Sequence, residues 1–276
     1  MYNTITINPA YAGSRGVMTA LALHRSQWLG FAGAPTTNMV SLHTPLNNSN
    51  LGLGIGFVND AIGPLIENQF STDFSYSLKL KNNNKLNFGL KASLFNRKFD
   101  TNLLDVYDVT DPTFQSDLVY NLNPNFGIGA YYYSNKYYIG LSVPNLINTP
   151  NTVNSNIALG NEYQHLYAIA GYVFELNKDV MFKPTVLFKG IKGAPLQTDV
   201  SANFMIYNKL TLGCAYRWNA AVSALAGFQV SKSLFIGYAY DSDTTPIKNY
   251  NNGSHELFIQ YEFLINTKKI NTPRFF

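Results

Sequence analysis

Along most of this chain large apolar side chains occupy every second residue, with small or polar ones between them. Phe70, Phe74, Tyr76, Leu78 and Leu80 share one phase, and Gln69, Ser71, Asp73, Ser75, Ser77 and Lys79 share the other. Side chains of a β-strand point to alternate faces, so such a segment has one apolar face and one wet face. The pattern predicts strands over Val17–His24, Thr36–Thr44, Leu51–Phe57, a fourth ending at Leu80, Lys85–Leu94, Phe126–Tyr133 and Tyr137–Val143. It continues through Tyr163–Phe174, Val180–Phe188, Thr198–Tyr207, Leu210–Trp218, Ala221–Val230, Leu234–Tyr240 and Glu256–Ile265. The connections switch between tight polar turns and longer Asn/Pro-rich loops, among them Ser26–Pro35, Asn59–Pro64, Asn96–Asn123, Pro144–Glu162, Lys189–Leu196 and Asp241–His255.

Strands of roughly nine to eleven residues, short turns on one side and long loops on the other are the pattern of a transmembrane antiparallel β-barrel. The expected fold is therefore all-β, with about 14 strands, short periplasmic turns and long extracellular loops. Arg217–Ala221 breaks the rhythm, being short where an outer loop is expected; a bulge or another boundary there changes the count by two. The alternating pattern also admits a soluble β-sandwich or propeller. Aromatic residues near strand ends (Tyr131, Tyr132, Tyr133, Tyr137, Tyr138, Trp218, Tyr238, Tyr240, Tyr261 and Phe263) suit the interfacial girdles of a membrane barrel.

Composition favours the membrane. Charged residues are 13% of the 276, against about 25% in a typical soluble domain, while hydrophobic residues reach 46%. No apolar run is long enough for a transmembrane helix. The net charge of +4 is small and dispersed, which argues against nucleic acid as a partner. The single cysteine, Cys214, excludes an internal disulfide and any cysteine-based metal cluster. The chain opens directly on polar residues, so a leader for export is expected to have been removed upstream. Three regions follow: an N-terminal segment, 1–15, periplasmic or lumenal; an outer-membrane barrel, 16–265; and a basic then aromatic tail, 266–276.

If the large apolar residues face lipid, the glycines share a direction. Gly52, Gly54, Gly56, Gly89, Gly127, Gly129, Gly140, Gly213, Gly227 and Gly237 all fall in the lumen phase. A ring of about fourteen strands, tilted near 40°, is roughly 28 Å across between backbones. Glycine inside a strand marks either a curved wall or a close backbone approach. We expect a lumen occupied by peptide, for which the stretch Asn3–Arg15 is the nearest source, although a plug from elsewhere satisfies the same pattern.

Catalytic chemistry is weakly written. The four histidines, His24, His43, His165 and His255, lack metal-ligand spacing. Ser254, His255 and Glu256 are adjacent, but adjacency in a polar loop is not a catalytic geometry. Asp100, Asp105, Asp108, Asp111 and Asp117 offer oxygen ligands without the spacing of a calcium loop. Gly52-x-Gly54-x-Gly56 lies inside a strand, where it cannot cradle a phosphate. We expect no enzyme, no cofactor and no metal.

Three blocks at the start of the chain carry specific wording: Asn8-Pro9-Ala10-Tyr11-Ala12-Gly13-Ser14-Arg15, then His24-Arg25-Ser26-Gln27-Trp28, then Gly33-Ala34-Pro35-Thr36-Thr37. With Leu51-Gly52-Leu53-Gly54, Asn59-Asp60-x-x-Gly63-Pro64 and the terminal Pro273-Arg274-Phe275-Phe276, they resemble the PorP/SprF family of type IX secretion membrane proteins. The signal peptide and short polar stretch that begin family precursors are not in this sequence. The resemblance implies an outer-membrane barrel of a Gram-negative bacterium, working with the type IX secretion and gliding apparatus. It further implies partners: outer-membrane lipid, a secreted surface adhesin or its C-terminal signal domain, and periplasmic secretion components.

On that reading Asn8, Pro9, Tyr11, Arg15, Arg25, Gln27, Trp28 and Asp60 are the partner-binding candidates. Arg25, Gln27 and Trp28 would present a charge, an amide and an aromatic plate at the outer rim. Alternatively, Arg25 pairs with a lumen carboxylate such as Asp60, and Trp28 anchors the interface. Two rival functions use the same fold: a small-molecule channel of the fatty-acid-transporter type, and a structural link between the outer membrane and periplasmic secretion rings.

Overall fold

A computed structural model of the chain describes residues 3–46, 49–103, 118–119, 122–148, 150–153, 157–161 and 163–264. The tail beyond 264 and the carboxylates Asp105, Asp108, Asp111 and Asp117 lie outside the described residues. Fourteen antiparallel strands close into a barrel. They are β1 (Met18–Ser26), β2 (Thr36–Pro45), β3 (Leu51–Ile62), β4 (Leu65–Lys79), β5 (Lys85–Phe99), β6 (Asn123–Tyr133) and β7 (Tyr137–Val143). The second half holds β8 (His165–Tyr172), β9 (Val180–Ile191), β10 (Gln197–Ile206), β11 (Leu210–Arg217), β12 (Ala221–Gln229), β13 (Leu234–Asp243) and β14 (Ser254–Phe263).

Each strand pairs with its neighbours in sequence, and β14 returns to β1 in a ladder from Met18↔Phe263 to Ser26↔His255. Closure removes the unpaired edges that hydrocarbon does not tolerate. The end of the cylinder at which β2 meets β3, β4 meets β5 and β6 meets β7 also receives both termini of the barrel; we call it the inner end.

The connections depart from expectation in instructive ways. The segment Asn59–Pro64 is not a loop: β3 and β4 continue in register to Ile62↔Leu65, leaving Gly63-Pro64 as a two-residue turn. Gly63 adopts φ 53°, which a tight hairpin needs and a residue without a β-carbon supplies. The β5 strand likewise runs on to Phe99. Between β11 and β12 the chain reverses through Trp218-Asn219-Ala220, with Asn219 at φ 52°. No bulge interrupts that ladder, so the short outer connection leaves the strand count unchanged. Tyr163–Phe174 resolves into β8 and a separate pair, Phe174–Glu175, which joins β9.

The two faces differ sharply in charge. Of the Asp, Glu, Lys and Arg residues on the fourteen strands, all but Lys98 occupy the lumen phase. Phe70, Phe74, Leu90, Ile128, Leu141 and Leu257 are exposed on the outside. An ionised Lys or Arg on that face would cost roughly 2–4 kcal/mol at the bilayer midplane, so the partition is what a lipid solvent selects.

Outward aromatics form a girdle near the inner end. Rings of Tyr132, Tyr137, Tyr172, Phe174, Phe182 and Phe204 follow one another across five strands with centroids 4.5–6.3 Å apart. Tyr131, Tyr133 and Tyr138 are not part of it. They lie in the lumen phase and are buried in one cluster with residues of the N-terminal segment.

Candidate functional site

That segment is residues 3–16. After Asn3, one helical turn, α1 (Thr4–Ile7), leads into a 3₁₀ turn over Pro9–Tyr11. Asn8 caps this turn: its Oδ1 accepts from the Ala10 backbone N–H at 3.0 Å, while Pro9 supplies a fixed φ at the first position. The amide of Asn8 then turns to the wall, donating to the carbonyl of Ala130 at 3.1 Å. Asn8 and Ala10 are both wholly buried.

Three carbonyls of the segment find a donor on the barrel. Ser142 Oγ donates to Ile7 O at 2.7 Å, Asn87 Nδ2 to Ala10 O at 3.0 Å, and Ser75 Oγ to Ala12 O at 2.7 Å. A buried carbonyl without a partner would cost about 1–3 kcal/mol, so these three side chains determine where the peptide rests. Tyr11 packs edge-on between His43 and Tyr131, with ring centroids 5.6 and 5.5 Å away. Arg15 reaches Glu262 on β14 at 2.6 Å, and both side chains are buried.

The glycines show why the segment fits. A β-carbon on Gly89 would overlap the backbone of Ala10, one on Gly52 the carbonyl of Ala12, and one on Gly129 the amide of Asn8. At Gly54 it would stand 2.8 Å from Ile5 Cδ1, and at Gly140 2.9 Å from Asn8 Nδ2. Five of the ten glycines thus make room for the N-terminal segment. The other five serve different neighbours: Gly127 lies under Pro144, Gly56 beside Ser71, Gly213 beside Asn203, Gly227 under Phe235 and Gly237 under Phe258.

At the outer end stands a second constellation. Arg25 on β1 bridges Asp241 on β13 at 2.5 Å and Glu256 on β14 at 3.2 Å. Its partners are therefore not Asp60, which accepts a hydrogen bond from Thr37. The register explains this: Arg25 lies opposite Glu256 across the closing seam, whereas Asp60 stands two strands away on β3. Trp28 directs its indole N–H to Asp243 at 3.4 Å and its backbone N–H to Ser254 Oγ at 3.2 Å. Leu29 N–H donates to Gly253 O at 2.9 Å and Asn252 N–H to Leu29 O at 2.8 Å, fastening the first outer loop to the last. Gln27 closes its own loop through a backbone bond to Pro35.

The eight partner-binding candidates therefore separate. Asn8, Pro9, Tyr11 and Arg15 meet in the inner half of the lumen, Arg25 and Trp28 at the outer seam, and Gln27 and Asp60 near it without joining either group. Sequence reading did not find the receiving residues Ser75, Asn87, Ser142 and Glu262. The available signal was small or polar side chains repeating in the lumen phase on the strands that carry the glycines.

Catalytic geometry does not form from the sequence candidates. Ser254 lies in the lumen phase and accepts from Trp28, whereas His255 stands on the other face against Tyr238 and Tyr240. Among the described residues no group of three or more His, Cys, Asp and Glu side chains is placed to hold a metal.

The family described as type IX secretion system membrane protein PorP/SprF matches residues 1–261. No curated protein matches the sequence. Among solved structures, the Acinetobacter baumannii outer membrane protein Omp33 is 6% identical with a TM-score of 0.53, over 90% of this chain and 98% of that one. The Ralstonia pickettii toluene transporter TbuX is 10% identical with a TM-score of 0.52, over 93% and 92%. The P. putida toluene transporter TodX is 10% identical with the same TM-score, over 95% and 94%. Identities this low establish the outer-membrane barrel fold and nothing finer.

Proposed function

Because the chain belongs to the PorP/SprF family of type IX secretion system membrane proteins, we propose that it is a docking barrel that receives secreted adhesin cargo by its C-terminal signal domain and holds it at the cell surface. The observation that carries this reading is the filling of the inner half of the lumen by residues 3–16, tied to the wall through Asn8, Ser75, Asn87, Ser142 and the Arg15–Glu262 pair. A barrel whose lumen seats a segment of its own chain is suited to holding a partner rather than conducting solutes. The same filling counts against the channel alternative, whatever the toluene transporters of similar fold carry.

On this reading the partner meets the outer end, where Arg25 and Trp28 hold the seam loops in one arrangement. Loops on a rigid scaffold are the usual carriers of binding. The test is the double substitution Arg25→Ala/Trp28→Ala, with display of an epitope-tagged adhesin measured on intact cells. Barrel assembly is followed in parallel by heat-modifiable gel mobility. Display is expected to fall at least about tenfold, the equivalent of 1.4 kcal/mol of binding. Undiminished display with a correctly assembled barrel overturns the docking role of this rim.

A further inference from the structure

On the outer face of the barrel a row of amides runs across β2 to β5 in one register: Asn38↔Asn59, Asn59↔Asn68 and Asn68↔Asn96. His24 on β1 stands opposite Asn38 and continues the row. The side chains are linked in series. His24 Nδ1 lies 2.7 Å from Asn38 Oδ1, Asn38 Nδ2 donates to Asn59 Oδ1 at 3.3 Å, and Asn59 Nδ2 donates to Asn68 Oδ1 at 2.9 Å.

These residues occupy the phase that elsewhere faces lipid. A linear chain of this kind uses one donor and one acceptor on Asn59 and leaves a second N–H and a second lone pair available. The row therefore has hydrogen-bonding capacity facing outward. It stands on the outer half of the wall, one residue short of the level where Arg25 meets the seam carboxylates on the other face.

Directly below the row the wall is indented. A depression of about 630 Å³ spans β2 to β6. Two outward tiers line it: Val40, Phe57, Phe70 and Leu94 above, and Leu42, Ile55, Thr72, Ala92 and Phe126 below. Its floor is low because Thr72 and Ala92 are small, while Ile55 and Phe126 rise on either side. On the lumen phase of the same strands Ser41, Gly56, Ser71 and Ser93 are small too. The volume falls within the roughly 300–1,000 Å³ of small-molecule sites.

We propose that this groove with its amide row is a binding site for one outer-leaflet glycolipid, an acyl chain lying in the groove and the sugar hydroxyls meeting Asn38, Asn59 and Asn68. The complementarity is specific. The amides lie at the outward end of the site, and beneath them the outward side chains are apolar except Thr72, so the occupant is amphiphilic and oriented as lipids of the outer leaflet are. The row itself contains no Lys or Arg. Amides that both donate and accept match hydroxyls, which do the same, better than they match a phosphate that only accepts. The groove also opens on the bilayer, so a lipid enters it without crossing water.

The test uses the full chain purified in mild detergent. It is titrated with mixed micelles containing a rough-type lipopolysaccharide and phosphatidylglycerol, and bound lipid is counted by native mass spectrometry. The expected result is one lipopolysaccharide per barrel, retained at least tenfold better than phosphatidylglycerol. Retention should fall about tenfold in Asn59→Leu, which breaks the row, and in Ala92→Trp, which fills the floor. Thr72→Leu replaces Ala92→Trp if the larger ring prevents assembly. Equal retention of both lipids, no retained lipid, or retention unaffected in both assembled variants overturns the assignment.

Discussion

Two arcs of the barrel wall carry inward glycines, and they are filled from different sources. Along β3 to β7 the space vacated at Gly52, Gly54, Gly89, Gly129 and Gly140 belongs to residues 5–12 of the N-terminal segment. Along β12 to β13 the space at Gly227 and Gly237 belongs to the rings of Phe235 and Phe258, side chains of the wall itself, 5.8 Å apart. The first arc is a seat for a separate piece of chain, whose backbone fills the space at Gly52 and Gly89 and whose Ile5 and Asn8 side chains fill it at Gly54, Gly129 and Gly140. The second is ordinary packing between adjacent strands, in which a ring tip can swing aside. One residue type, in one phase of one fold, thus answers two physical needs, and the neighbour that would meet the missing β-carbon tells them apart.

The comparison breaks most visibly at Gly89. Valine there would drive a β-carbon and two methyl groups into the backbone of Pro9 and Ala10, which have no rotamer by which to yield. The N-terminal segment must leave its seat. In planar bilayers Gly89→Val is expected to open ion-conducting channels, whereas the unsubstituted protein stays closed. Gly237→Val, made in the other arc, is expected to stay closed as well. Silence from an assembled Gly89→Val barrel, or conduction from both variants, removes the distinction between the arcs.

The next effect concerns the ion pair that joins the segment to β14 at the closing seam. Arg15 and Glu262 are 7% and 6% exposed, so removing either strands a charge in a dry place. Arg15→Ala should cost roughly 3–5 kcal/mol, the usual penalty for breaking a buried pair. Replacing both partners with Met and Leu should recover much of that loss, since neither member of the pair is then left without the other. Protease cleavage within residues 3–16, with the barrel itself intact, reports the loosening. If Arg15→Ala is cleaved no faster than the unsubstituted protein, the pair does not hold the segment.

Much of this was legible from the chain, for a physical reason. A strand in lipid must be apolar on one face along its whole length, so period-two patterning recovers all fourteen strands with errors confined to their ends. Those errors have a common cause. Toward the outer rim the outward side chains turn polar, and the pattern fades at Asn59, Asn68 and Asn96 although the ladders continue. The lumen phase of Tyr131, Tyr133 and Tyr138 was hidden because aromatic side chains near a strand end suit a girdle and a core equally. The inner site was half legible: the glycines and Asn8-Pro9 mark a seat and a turn, but Ser75, Asn87 and Ser142 are ordinary lumen residues until the peptide's carbonyls are placed. The Arg25 pairs depend on which strands close the barrel, a contact between residues more than two hundred apart that no local pattern contains.

The smallest effect lies in the self-filled arc and tests whether its glycines are merely packing. An added β-carbon at Gly237 would overlap Cζ of Phe258, the far end of a side chain with two rotatable bonds. The ring can tilt toward Phe235, so Gly237→Ala should cost no more than the roughly 1–3 kcal/mol of overpacking, read as a lowered urea midpoint for barrel unfolding. Shortening the ring with Phe258→Leu should restore most of the loss in the double variant, because the two changes trade volume within one contact. At Gly89 no such partner exists: the colliding atoms are backbone, and no substitution elsewhere on the wall relieves them. Failure of Phe258→Leu to compensate would mean that Gly237, like Gly89, is kept small for something other than its neighbouring ring.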